Sequence, residues 1–141
     1  MSNEWKDYRE LQLELLLEKM HEVRNLYDGW INAFVPDLIY ELRDALGSYV
    51  EYFEVYQIKE KFGSLTIYWG WEFRDYTDEE DMDLKELAGI VNNIIDKYKK
   101  ISEHTCVQCG GKATFLSDGW VIPWCDNCRD RKYGVFEIIK D

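Results

Sequence analysis

Cys106-Val107-Gln108-Cys109 and Cys125-Asp126-Asn127-Cys128 are two cysteine pairs, and fifteen residues separate them. The resulting C-x2-C-x15-C-x2-C spacing is typical of zinc sites. Each pair can bend into a knuckle that presents two sulfurs to one metal ion, and two knuckles complete a tetrahedron. Gly110 and Gly111 follow the first pair, where a tight turn favours residues that tolerate positive φ. We therefore predict one structural zinc ion with four ligands, Cys106, Cys109, Cys125 and Cys128.

Three other kinds of cysteine chemistry compete with zinc. A pair of disulfides would require an oxidising compartment, and nothing in the sequence indicates export. A thioredoxin-like redox motif uses one C-x-x-C beside a βαβ pattern, which the sequence lacks. An iron–sulfur cluster is chemically compatible with four thiolates. Zinc with four cysteine ligands has no open coordination position, so we expect the metal to fold the segment rather than to catalyse a reaction.

The length and the amino terminus bound the class of protein. A chain of 141 residues fits one domain, or a small core with a metal-stabilised segment attached. The first residues are charged, and the longest early apolar run is Leu15–Leu17. This pattern predicts neither a signal peptide nor a membrane span, and hence a cytoplasmic protein.

The chain is strongly acidic, with 28 acidic and 17 basic residues and a formal charge of −11. Four thiolates around one Zn²⁺ would add two negative charges to this total. Phosphate backbones are bound by cationic side chains, so this negative charge opposes direct binding to nucleic acid. Residues 103–141 are close to neutral, with six acids and five bases.

Two helices are predicted in the first third of the chain. Apolar residues recur with helical period over residues 4–27, and Glu10, Glu14, Glu18 and Glu22 form an acidic strip on the opposite face. That strip is either a solvated face or a surface for a basic partner. Asp28-Gly29-Trp30 is a turn signal, and a second helix is expected to begin near Pro36 and to end at Gly47. The two helices should pack as an antiparallel pair.

Residues 52–72 predict a β-hairpin. Phe62-Gly63-Ser64-Leu65 fits a two-residue type II′ turn with glycine first. This turn would place Phe62 opposite Leu65, Ile58 opposite Trp69 and Tyr56 opposite Trp71. Glu60 would then lie on the apolar face opposite Ile67, either at an open margin or buried against a partner.

The remaining segments complete the expected α+β fold. Residues 72–83 carry seven acids and one base, which predicts a solvated loop, and residues 84–101 predict a third helix. We expect the helical pair and the third helix to pack on a small antiparallel sheet, with the zinc ribbon docked on this core. The predicted units are a core over 1–102 and a ribbon over 103–141, which ends in a closing strand over 133–139.

Two motifs resemble those of a group of small, uncharacterised bacterial and phage proteins. The first is Lys59-Glu60-Lys61-Phe62-Gly63, which opens a strand in that group, and the second is Asp118-Gly119-Trp120 before the last cysteine pair. The resemblance covers about residues 28–130 in motif order, and a helix and a four-cysteine segment follow the strand in both. It implies a bacterial or phage cytoplasmic setting, but it carries no established activity.

The sequence favours a binding protein over an enzyme. It contains no glycine-rich phosphate loop and no nucleophile motif, and His21 and His104 lie in different segments. Our first hypothesis is an acidic, non-catalytic protein that engages a basic protein surface. It would be a phage-type inhibitor or DNA mimic acting on a nucleic-acid-processing or defence complex. Exposed Tyr68, Trp120 and Trp124 would help to anchor the partner. The alternatives are a nucleic-acid-associated regulator that uses Arg129, Arg131 and Lys132, and a hydrolase without a recognisable motif.

Overall fold

The computed structural model describes residues 8–117, 121–129 and 136–139, and within them it has the predicted α+β class. The helices are α1 (Tyr8–Lys19), α2 (Asp28–Ala33), α3 (Val35–Leu46), α4 (Asp78–Glu103) and α5 (Asp126–Arg129). The strands are β1 (Phe53–Lys61), β2 (Ser64–Trp71), β3 (Phe115–Ser117), β4 (Pro123–Trp124) and β5 (Phe136–Ile138). Two 3₁₀ segments, His21–Asn25 and Gly47–Tyr52, follow α1 and α3.

Helices α1 and α3 form the predicted antiparallel pair. Arg9 at the start of α1 contacts Asp44 near the end of α3 at 3.0 Å. The buried face of α3 repeats every three or four residues, as expected for an amphipathic helix, and consists of Val35, Leu38, Ile39, Leu42 and Leu46.

Two of the expected helix boundaries are wrong. The first helix ends at Lys19 rather than near residue 27, and a 3₁₀ segment continues the chain. Asp28-Gly29-Trp30 is not a turn but the beginning of α2. The glycine there serves packing rather than chain reversal, because a Cβ on Gly29 would lie 2.2 Å from the carbonyl oxygen of Cys106.

Strands β1 and β2 form the predicted hairpin in a different register. Ile58 lies opposite Ile67 rather than Trp69, and Glu60 lies opposite Leu65. The turn residues are Phe62 and Gly63, with φ of 53° and 82°, so the turn begins one residue earlier than expected. Two positive φ values are characteristic of a type I′ turn, which matches the twist of the strands.

A register irregularity between Val55 and Gln57 changes the environment of Tyr56. The ladder passes from the Val55–Trp69 pair directly to the Gln57–Tyr68 pair, so Tyr56 is an extra residue in β1. Tyr56 and Phe62, both expected on the apolar face, are 62% and 80% exposed. Ile58, Leu65 and Ile67 are buried as predicted.

Helix α4 is longer than its apolar pattern indicates. It begins at Asp78, inside the acidic run that was predicted to be a loop. Thr77 and Glu80 form a capping box, in which each side chain accepts a hydrogen bond from the other residue's backbone N–H. Four acidic residues in the first turn also interact favourably with the helix dipole.

The core joins the helices, the hairpin and the cysteine segment. Trp30, Phe53, Leu65, Val91 and Cys106 are each buried within one cluster. Ser102 of α4 accepts a hydrogen bond from the backbone N–H of Leu65, which fixes α4 to β2. The cysteine segment is therefore docked on the core, and its three-stranded sheet has the order β4-β3-β5. The unit boundary at residue 102 stays a prediction, and of the expected closing strand the structure describes residues 136–139.

Candidate metal centre and acidic surface

The first cysteine knuckle closes through a compact set of backbone hydrogen bonds. The N–H of Gly110 donates to the Cys106 carbonyl at 3.0 Å, and the N–H of Cys106 donates to the Gly111 carbonyl at 2.8 Å. Gly110 has φ of 81°, a left-handed conformation that favours glycine. The N–H of Gly111 points to the Cys109 sulfur at 3.3 Å. This turn brings both sulfurs of the pair to one side.

The second knuckle consists of Cys125 and the short helix α5 that follows it. The N–H of Cys128 donates to the Cys125 sulfur at 3.4 Å. Two further hydrogen bonds hold this knuckle beside the first. The Thr114 hydroxyl donates to Asp126 at 2.9 Å, and the N–H of Val107 donates to the Pro123 carbonyl at 3.1 Å. Both pairs therefore converge on one point.

The four sulfurs have the geometry of a metal site. The sulfur atoms of Cys106, Cys109, Cys125 and Cys128 all lie within 4.8 Å of one another. Four sulfurs at about 2.3 Å from a tetrahedral zinc ion are separated by roughly 3.8 Å. The Cys109 and Cys125 sulfurs are 3.5 Å apart, well beyond the disulfide bond length of about 2.05 Å. The residues are thus positioned to hold one metal ion and are not joined as disulfides.

The local environment gives the metal-free thiols unequal acidity. Burial raises the pKa of Cys106, but hydrogen bonds from the backbone of Cys109, Cys125 and Gln108 outweigh it and lower that pKa to about 7. Burial raises the pKa of Cys128 to about 12, and the neighbouring sulfurs add to this effect. Metal binding requires thiolates, so filling this site releases protons.

The metal centre is attached to the core through α2. The indole N–H of Trp30, a fully buried side chain, donates to the Thr105 carbonyl at 3.0 Å. The N–H of Gly29 donates to the Val107 carbonyl at 2.9 Å. Cys106 and Cys128 are buried, whereas Cys109 is exposed. The metal would therefore lie at the edge of the core, where it clamps the cysteine segment to α2.

Several other candidate residues have structural partners. His21 and His104 each place Nδ1 about 3.1 Å from a carbonyl oxygen of a preceding turn. The guanidinium of Arg129 lies over the Phe115 ring at 4.1 Å. Trp124, expected to be exposed, is buried, whereas Tyr68 is 42% exposed. Trp120, Arg131 and Lys132 lie outside the described residues.

Glu60 is half-buried with two hydrogen-bond donors around it. The Tyr27 hydroxyl donates to one carboxylate oxygen at 3.1 Å, and the Gly63 N–H donates to the other at 2.8 Å. Glu60 thus has hydrogen-bond partners, as in the second of the two predicted environments, but it is only half-buried. The carboxylate holds the hairpin turn, since it binds a backbone N–H of the turn itself.

An acidic cleft, to which only Glu18 of the predicted acidic strip contributes, lies between the end of α1 and the hairpin. It has a volume of about 390 Å³, and four carboxylates line it, those of Glu18, Glu51, Glu54 and Glu72. The ammonium of Lys19 is engaged by the carbonyls of Val50 and Glu51 at 2.7 and 2.8 Å. Burial lowers the pKa of Lys19, an effect that nearby carboxylates partly oppose. The cleft therefore presents an excess of negative charge.

Comparison with known proteins gives no relative from which a function can be transferred. No protein-family model matches the chain, and neither a curated protein nor a solved structure is significantly similar to it. In the described part of the chain, no helix is both long enough and apolar enough to cross a bilayer.

Proposed function

We propose that this chain is an acidic, non-catalytic binding protein that engages a basic surface of a second protein, and that its cysteine centre holds a structural zinc ion. The observation that carries the binding function is the acidic cleft beside Lys19. A cleft of about 390 Å³ lies in the size range of ligand pockets, about 300–1,000 Å³. One lysine or arginine side chain of a partner fits a space of this size.

The chemistry of the cleft matches a cationic anchor. Four carboxylates supply acceptors for an ammonium or guanidinium group, and the exposed ring of Tyr56 supplies a face for a cation–π contact. Glu72 also lies 3.9 Å from Arg74, whose guanidinium stacks over Tyr52. Glu18, Glu51 and Glu54 are thus the main carboxylates for a partner, together with the negative field of the whole chain.

Zinc is the metal that the donor set favours. Thiolates are soft ligands, and four of them in a closed tetrahedron are typical of structural zinc sites. All four positions are taken by sulfur, so the ion would stabilise the fold and leave binding to the acidic surface. A cytoplasmic location belongs to this proposal, because four free thiols require a reducing compartment.

The class of partner follows from the charge. Proteins that bind DNA or RNA present basic grooves, and a chain of formal charge −11 is complementary to them. The resemblance to small bacterial and phage proteins directs the search to nucleic-acid-processing and defence complexes. A phage-type inhibitor would occupy such a groove as a DNA mimic.

The test is an affinity capture from nuclease-treated bacterial lysate with the zinc-loaded protein. The comparison bait is Glu51→Gln/Glu54→Gln, which removes two of the four cleft carboxylates and leaves the Lys19 carbonyl contacts in place. The matched control is Glu86→Gln/Asp96→Asn, which removes the same charge from exposed positions of α4. We expect the same basic protein on the wild type and the α4 control, and much less on the cleft variant.

The salt dependence gives a second criterion. Raising the ionic strength from about 0.1 to about 1 M shortens the Debye length from about 10 to about 3 Å, so the captured protein should be released. Equal capture by all three baits would contradict the proposed role of the cleft. Recovery of nucleic acid in a sample without nuclease, with loss of the protein after nuclease, would instead support the regulator hypothesis.

A further inference from the structure

A second surface feature is an apolar groove between α1 and α3. It has a volume of about 170 Å³ and is lined mainly by Leu13, Leu17, Ile31, Val35, Ile39 and Tyr40. An engineered apolar cavity of about 150 Å³ accommodates benzene, so the groove has room for one or two large apolar side chains. Leu17 and Tyr40 are 45% and 47% exposed, although both are large apolar residues.

The borders of this groove carry negative charge. Glu10 and Glu14 precede Leu13 and Leu17 by three residues, so they lie next to them on the surface of α1. Asp37 lies three residues before Tyr40 on α3, and all three acids are exposed. At one end, Arg9 and Arg43 both contact Asp44, at 3.0 and 2.9 Å. Arg43, whose guanidinium lies over the Tyr40 ring at 5.2 Å, is therefore already engaged by a carboxylate, as is Arg9.

We infer that the α1–α3 groove binds an amphipathic helix that has one apolar stripe and lysine or arginine on both sides of it. Such a helix buries its apolar face in a groove formed by two helices, as in other helix-in-groove complexes. The acidic borders select cationic flanks and reject acidic ones, because like charges across an interface are costly. The inference rests on the proposed function, since it names the kind of segment that the basic partner presents.

The structure offers a matched pair of variants for the test. Leu11 and Leu17 are leucines of the same helix, and each is 45% exposed. Leu17 lines the groove, and Leu11 does not. Leu17→Gln should therefore remove a groove contact, whereas Leu11→Gln makes the same change in composition at the same exposure without touching the groove.

The probe is a labelled synthetic helix of about 14 residues, roughly four turns, with leucine on one stripe and lysine elsewhere. Binding is measured by fluorescence anisotropy with the zinc-loaded protein, and a peptide with glutamate for lysine serves as the charge control. We expect the lysine peptide to bind wild type and Leu11→Gln equally. Binding to Leu17→Gln should be about tenfold weaker, because one leucine contact is lost. The glutamate peptide should not bind.

The other outcomes separate this inference from the proposed function. Equal affinities for Leu11→Gln and Leu17→Gln, or no binding of the lysine peptide, would overturn the groove assignment. Binding that is lost in Glu51→Gln/Glu54→Gln but kept in Leu17→Gln would overturn it too, while leaving the acidic cleft as the binding site. A protein whose sedimentation changes from dimer to monomer on Leu17→Gln would show that a second copy, and not a basic helix, covers the groove.

Discussion

At the scale of single residues, Gly29 is the point where α2 touches the metal centre. A Cβ at this position would lie 2.2 Å from the Cys106 carbonyl oxygen and 2.7 Å from the backbone of Val107. These atoms belong to the first knuckle and cannot move away alone. Gly29→Ala should therefore lower the free energy of unfolding by about 1–3 kcal/mol, the usual cost of overpacking. Urea unfolding of the zinc-loaded protein measures this change.

Gly89 provides the matched control for that substitution. It also lies in a helix, but a Cβ there would have no atom within 4 Å. Gly89→Ala should raise the free energy of unfolding by about 0.5–1 kcal/mol, since alanine is the better helix former. Destabilisation of similar size in both variants would contradict the account of Gly29.

Tyr98 of α4 is a second residue with a defined role, because its hydroxyl connects α4 to Glu41 of α3. Its ring stacks on Phe34, and its hydroxyl donates a hydrogen bond to Glu41, which Lys97 also contacts. Hydrogen bonds from Lys97 and then Tyr98 hold the pKa of Glu41 below its usual range. Burial, with the bond to Glu41, raises the pKa of Tyr98.

These two shifts predict the pH dependence of stability. The lowered pKa of Glu41 stabilises the fold above about pH 4.3, and this stabilisation is lost as the pH falls through the pKa of Glu41 in the folded state. The raised pKa of Tyr98 stabilises the fold below about pH 10, and this stabilisation is lost as the pH rises further. Tyr98→Phe should lower the free energy of unfolding by about 1 kcal/mol at pH 7. It should also make this free energy less dependent on pH, on both the acidic and the alkaline side.

The measurement is urea unfolding between about pH 3 and pH 11, a range that spans both reference pKa values. The control is Tyr40→Phe, because Tyr40 is 47% exposed and removal of its hydroxyl leaves the Glu41 contacts intact. If Tyr98→Phe leaves the pH profile unchanged, the hydrogen bond to Glu41 does not contribute in solution.

At the scale of secondary-structure elements, the hairpin turn contains a residue in an unfavourable conformation. Phe62 has φ of 53° without being glycine, and its ring is 80% exposed. Asn-Gly is the preferred pair for a type I′ turn. Phe62→Asn should therefore stabilise the protein by about 1 kcal/mol, the order of the left-handed penalty that it relieves. Thermal unfolding tests this, and a loss of stability would show that the Phe62 ring makes contacts that outweigh the backbone strain.

The hairpin also shows why its register could not be read from the sequence. The rule that glycine comes first in a II′ turn placed the turn at Gly63-Ser64, because a phenylalanine with positive φ is not expected. The two-residue change in pairing keeps the same faces, so Ile58, Leu65 and Ile67 remain buried. The extra residue Tyr56 has no local signature, and its displacement follows from pairing with β2.

Helix α4 presents the opposite case, because its sequence does carry a local signal for the start of the helix. The acidic run from residue 72 predicted a solvated loop, yet Thr77 and Glu80 have the spacing of a capping box. Charge indicates solvent exposure but does not exclude a helix, because a helix amino terminus favours acidic side chains. The apolar positions Leu84, Leu87, Val91 and Ile95 were predicted and are buried.

At the scale of the whole molecule, the two candidate sites differ in how far they could be predicted. The cysteine cluster could be predicted because four residues in two short motifs make it, and their spacing reflects the geometry of the metal. The acidic cleft could not be, because its carboxylates come from α1, from the 3₁₀ segment after α3, from β1 and from Glu72, the residue that follows β2. Only the tertiary structure brings Glu18, Glu54 and Glu72 together.

Metal removal should affect the whole molecule and not the cysteine segment alone. Cys106, Val107, Trp124 and Cys128 belong to the same buried cluster as Trp30 and Phe34. Chelation should therefore lower the melting temperature. It should also lower the free energy of unfolding by several kcal/mol relative to the zinc-loaded protein, on the order expected for a structural site. Acidification should weaken zinc binding, since the thiols must lose protons. Calorimetry with and without chelator tests this, and identical curves would contradict it.

The most direct test of the central claim, that four cysteines bind one structural zinc ion, is native mass spectrometry of the purified protein. We predict one zinc ion per chain, with the four cysteines otherwise unmodified, and loss of the ion in Cys106→Ser. A folded, metal-free protein would contradict the claim. So would a mass two hydrogens lower for each disulfide formed, or the added mass of an iron–sulfur cluster.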